Sequence, residues 1–159
     1  MPTNPDPSIK LTSSKGQART LREWTTMFHL TLVILPPRPE AARFIPIADR
    51  IFKVFADADT RTGFCVTGNE FIARGVLGEA EDRFLTLCDP DAEFVTSMGI
   101  THLPAFVHIR QDTTLLTAAQ GWDPHEWQRV VAAIGKELAW THPEIWKPSD
   151  PPATPGWPV

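Results

Sequence analysis

Residues 99–107 read Gly99-Ile100-Thr101-His102-Leu103-Pro104-Ala105-Phe106-Val107. Upstream, Phe94, Val95 and Met98 share one face of a short helix that Gly99 closes. Downstream, Ala105–Ile109 is an apolar strand, and Thr114–Ala118 a second one beyond the polar turn Arg110–Thr113. So short a connection predicts an antiparallel hairpin. Pro104 sits at the junction, where it holds a tight turn from helix into hairpin.

Working outward, His29–Leu35 (HLTLVIL) is β-branched and apolar without interruption, and Pro36-Pro37 end it. Such a run suits a central strand covered on both faces. A helix is expected from Pro39, with Phe44, Ile47, Ile51 and Phe55 at helical spacing and a kink at Pro46. Gly63–Thr67 and Phe84–Leu87 are further strands, and Asn69 caps the helix between them, which Gly78 ends. Asp89-Pro90 is expected to open the next helix, and Asp123 with Glu126 the last one, whose apolar face is Trp127, Val130, Val131, Ile134 and Leu138. Ile9–Thr12 forms a short strand, and Thr20 caps a helical turn ending at Trp24. The chain therefore divides into an arm (1–8), one α/β domain (9–140) and a tail (141–159) with Trp146, Trp157 and six of the 16 prolines. Such a tail is extended or polyproline-like.

Composition narrows the function. With 42% hydrophobic and 21% charged residues, the 159-residue chain is an ordinary globular domain. A net charge of −4 with scattered Lys and Arg excludes a nucleic-acid or anionic-membrane footprint. No run is long enough to span a membrane, and the polar, Pro-rich start has no signal-peptide core, so a cytoplasmic setting is expected. The five histidines and two cysteines show no metal-ligand spacing, and no cofactor or metal is expected.

In this order the elements resemble the thioredoxin-like superfamily, most closely its peroxiredoxin and thiol-disulfide-oxidoreductase branches. The resemblance rests on Lys15-Gly16-Gln17 with Thr20-Leu21 and Trp24, on His29–Leu35 followed by the Pro46 helix, and on Cys88-Asp89-Pro90-Asp91. Gly99–Val107 and Gly121-Trp122-Asp123 complete it, over roughly residues 9–139. It implies a central mixed β-sheet flanked by helices, with Pro104 preceded by a cis bond beside the active site. It also implies redox cysteines shortly before Pro46, where this chain has Arg38-Pro39-Glu40-Ala41 and no sulfur.

Cys65, between Phe64 and Val66, reads first as a small buried hydrophobe. Cys88 is more open: a helix start after it would favour a thiolate, while Asp89 beside it works the other way. The tail is either a poorly ordered end or docked, and its tryptophans, each able to bury about 150–250 Å², weigh toward docking. The expected function is therefore a redox-inactive, non-catalytic binding or scaffolding module. Its partner surface comprises Leu103 and Pro104, whose exposed backbone would pair with an extended peptide, together with Arg38, Trp146 and Trp157. The partner is another protein or a second copy of the chain. An oxidoreductase or peroxidase using Cys88, with Cys65 resolving, is the alternative of a different class. A small-molecule-binding domain in the same cleft is the third.

Overall fold

A computed structural model describes all residues, 1–159. In chain order the elements are β1 (Lys10–Ser13), β2 (Ala18–Thr20), α1 (Leu21–Trp24), β3 (His29–Leu35), a 3-10 stretch (Pro39–Phe44), α2 (Ile45–Val54), β4 (Thr60–Val66) and α3 (Glu70–Leu77). There follow α4 (Ala80–Arg83), β5 (Leu85–Cys88), α5 (Glu93–Ser97), β6 (His102–Leu103), β7 (Ala105–Ile109), β8 (Leu115–Gln120), α6 (Pro124–Leu138) and β9 (Trp157–Pro158). Seven strands form one mixed sheet in the order β2-β1-β5-β4-β3-β7-β8. β3, β4 and β5 run parallel, with β1 antiparallel beyond β5 and β7 antiparallel beyond β3.

β3 lies in the middle because its side chains alternate between two apolar faces. Val33 and Leu35 join a core with α2, α3 and α6, whereas Leu30, Leu32 and Ile34 join a second core with α1 and α5. At Gly63 an added Cβ would run into the carbonyl oxygen of Leu85, so the residue lets β4 and β5 close together. No helix is long and apolar enough to cross a membrane.

Several elements differ locally from the sequence reading. The stretch from Pro39 is 3-10, and α2 begins only at Ile45, which places Pro46 in its first turn rather than inside a kinked helix. A proline there removes no intrahelical bond. Asp89-Pro90 does not start α5 either: the helix opens at Glu93, after Ala92 at φ 54°. Asp89 reaches forward instead, its carboxylate accepting from the amides of Phe94 (3.2 Å) and Val95 (3.1 Å). At α6 the Asp123 side chain accepts from His125 (2.9 Å), but Glu126 turns to Arg129 (3.2 Å) and closes no capping box. At α1 the box is complete, with Thr20 and Glu23 each accepting from the other's amide.

One polar network is buried between β3 and β7. His108 pairs with Thr31 Oγ1 through Nδ1 and with His29 through Nε2, both at 2.9 Å. Burial, reinforced by the neighbouring His29 and Arg110, pushes the His108 imidazole down to about 3, and burial also lowers His29. A depressed histidine contributes its full stability above its unfolded value of about 6.5 and loses it as the pH falls. Thermal and denaturant unfolding should therefore show a loss of about 2 kcal/mol between pH 6.5 and 5, a window above ordinary carboxylate titration. His108→Gln should flatten that slope; a pH-independent wild type would contradict the role assigned to His108.

Candidate functional site

The Leu103–Pro104 peptide bond is cis. The turn is pinned from two sides. Gly121 donates its amide to the carbonyl of Pro104 (2.8 Å), and the Gln120 side chain accepts from the amides of Thr101 (2.8 Å) and His102 (3.3 Å). This places β6 outside the main sheet, beside the loop that precedes α2.

The sequence reading expected the Leu103 backbone to be open to an incoming peptide. It is not: β6 pairs antiparallel with β9, Leu103 opposite Trp157 and His102 opposite Pro158, and Leu103 is 0% exposed. The chain supplies its own extended segment to that edge. Trp157 also bridges to the other half of the expected surface. Its ring packs edge-on against Phe44 (centroids 6.1 Å), and the Arg38 guanidinium lies over it at 5.6 Å. Arg38, Pro104 and Trp157 therefore meet at one place. Trp146 does not join them: it is 44% exposed beside a cavity of about 410 Å³ lined with Pro124, His125, Gln128 and Glu144 on the α6 side.

Upstream residues of the tail are held by specific contacts. Ile145 is buried in the larger core, Asp150 forms an ion pair with Arg50, and the Trp122 indole donates to the carbonyl of Pro151 (2.8 Å). Trp140 donates its indole N–H to the carbonyl of Val54 (2.6 Å). Phe44 was read in the sequence only as a helix position and Gly121 only as part of Gly121-Trp122-Asp123, while Arg50 and Gly156 were not singled out.

The thiols lie elsewhere. Cys65 stands opposite Leu87 and joins the α1/α5 core, while Cys88 stands opposite Val66 and joins the core on the other face of the sheet. The two thiols therefore lie on opposite faces of the sheet, not facing each other. Burial pushes Cys65 well above the ordinary thiol range, with the Asp89 charge adding to it. Cys88 is pushed up to about 11, chiefly by burial and then by Glu70. The α5 amides that would favour a thiolate are taken by Asp89. Cys88 does line an open cavity of about 410 Å³, together with Lys10, Asn69, Glu70, Phe71 and Asp89.

The chain has a thioredoxin-like fold. It superposes on a DsbE-type thiol:disulfide interchange protein of Chlorobium tepidum with a TM-score of 0.69 and 15% identity, covering 87% of this chain and 98% of that one. A secreted disulfide oxidoreductase of Mycobacterium tuberculosis gives 0.60 at 17% identity, over 79% and 96% of the two chains. Peroxiredoxin Q of Xanthomonas campestris gives 0.63 at 11% identity, over 80% and 90%. No protein-family model matches the chain. No curated protein matches it by sequence.

The two thiols should be slow to react. A value of about 11 for Cys88, against an ordinary 9.0, lowers its thiolate fraction at pH 8 about 100-fold. Alkylation by iodoacetamide, followed by mass spectrometry, should modify Cys88 about 100-fold more slowly than a model thiol, and Cys65 only on unfolding. Rapid modification of Cys88 in the native chain would contradict this geometry.

Proposed function

We propose that this protein is a redox-inactive binding module that receives an extended protein segment at the face formed by Arg38, Leu103 and Pro104. The observation that carries the reading is chemical. The loop between β3 and α2 holds Arg38-Pro39-Glu40-Ala41, with no sulfur to form or attack a disulfide. Both thiols lie elsewhere, are buried, and point to opposite faces of the sheet. What the face contains is a short strand edge next to a proline turn, covered here by β9, and such an edge recognises extended chain through main-chain hydrogen bonds. A segment paired along that edge already exists in the molecule, in β9. Two unpaired cysteines suit a reducing compartment, and the cytoplasmic setting expected from the sequence belongs to the same proposal.

The cavity at Cys88 favours a single-thiol activity more than anything else in the molecule, yet its lining raises the thiol instead of activating it. Insulin-disulfide reduction and peroxide consumption should accordingly run at the uncatalysed rate with wild type and with Cys88→Ser alike. Turnover that wild type shows and Cys88→Ser lacks would end the redox-inactive reading.

A further inference from the structure

β6 and β9 form a sheet of their own, apart from the seven-stranded one. The contact extends along the last residues of the chain. Trp122 and Thr154 exchange both backbone hydrogen bonds (2.8 and 2.9 Å), and Val159 donates to the carbonyl of Thr101 (2.9 Å). The floor beneath is fully buried, with Phe44, Leu103 and Trp122 among its residues. The segment on top is not: Thr154, Gly156 and Trp157 are half-buried, and Val159 is exposed. A ligand seated in a groove has this distribution of exposure; a core strand is buried on both sides.

The fit is selective at two consecutive positions. Gly156 has φ 80°, and a Cβ there would run into the carbonyl oxygen of Leu103. Trp157, next along, takes the slot between the Phe44 ring and the Arg38 guanidinium. Pro158 follows, opposite His102. On the floor, a Cβ on Gly121 would lie 2.8 Å from the carbonyl oxygen of Thr154, so the groove is also relieved on its own side.

This segment is held separately from the rest of the tail. The Arg50–Asp150 ion pair and the Trp122 bond to Pro151 secure the chain before it reaches the groove. Beyond them, Pro152, Pro155 and Pro158 have no N–H to donate, which removes three backbone donors from the segment, and an extended proline-rich segment binds with little loss of entropy.

We infer that residues 154–159 are an internal ligand of the Pro104 turn, occupying a groove that takes a Gly–aromatic–Pro segment of another protein when that segment displaces them. The inference rests on the binding-module reading above for the existence of a partner. It adds the partner's chemistry and the strap that competes with it.

The experiment uses the full-length chain and, as probe, a fluorescein-labelled peptide of residues 151–159 (PPATPGWPV), read by anisotropy. Trp157→Ala and Gly156→Ala weaken the strap and leave the groove unchanged. Both variants should bind the peptide saturably, and wild type about tenfold or more weakly, because its own strap competes at high effective concentration. Peptides with the corresponding Trp→Ala or Gly→Ala change should bind none of the three chains.

Folded variants that bind no better than wild type would overturn the proposal. So would loss of the fold in both variants, which would make the segment part of the core. A chain that sediments as a dimer and takes up no peptide would also overturn it, assigning the groove to tail exchange between copies. Redox turnover in the assays above would remove the functional reading but leave this test standing; absent peptide binding with silent redox assays would remove the strap alone.

Discussion

Every other element answers to the burial of β3 on both faces. Six of its seven side chains are buried, alternating between two cores, so helices must cover the sheet from both sides. The parallel partner β4 requires a crossover, which the 3-10 stretch and α2 supply on one face. The antiparallel partner β7 begins directly after Pro104, and this register places the proline turn next to the loop entering α2. The juxtaposition of Arg38, Pro104 and Trp157 follows from where β3 ends and β7 begins.

The same architecture separates the thiols from that place. Cys65 and Cys88 lie on neighbouring strands with registers offset by one residue, and side chains one residue apart on a sheet point to opposite faces. Each is surrounded by apolar packing and negative charge, which oppose thiolate formation. A fold shared with disulfide oxidoreductases is here combined with a sulfur-free crossover loop and a groove filled by the chain's own tail. The tail also anchors through Asp150 and Ile145, so its prolines sit in an extended, docked segment.

How legible these features were depended on the range of the interaction behind them. The apolar run His29–Leu35, the Asn69 cap and the hairpin after Pro104 are local patterns, and the structure contains each of them. Pro46 and Asp89-Pro90 were misplaced because a proline or a cap signals a helix start only to within a few residues. At Asp89 the carboxylate reaches amides five and six residues on, which no spacing rule anticipates. Trp146 and Trp157 look alike in sequence, yet one stands half-exposed beside α6 and the other sits between Phe44 and Arg38.

By itself, the order of residues determined an α/β domain with its central strand, and a crossover loop that lacks sulfur. These are properties of composition and short-range periodicity. Only tertiary structure decided that the Leu103 edge is covered from within, that Gly156 must be glycine there, and that the two thiols face away from each other. Those outcomes depend on which distant segments come within a hydrogen bond of one another, and that is set by how two cores pack around one sheet.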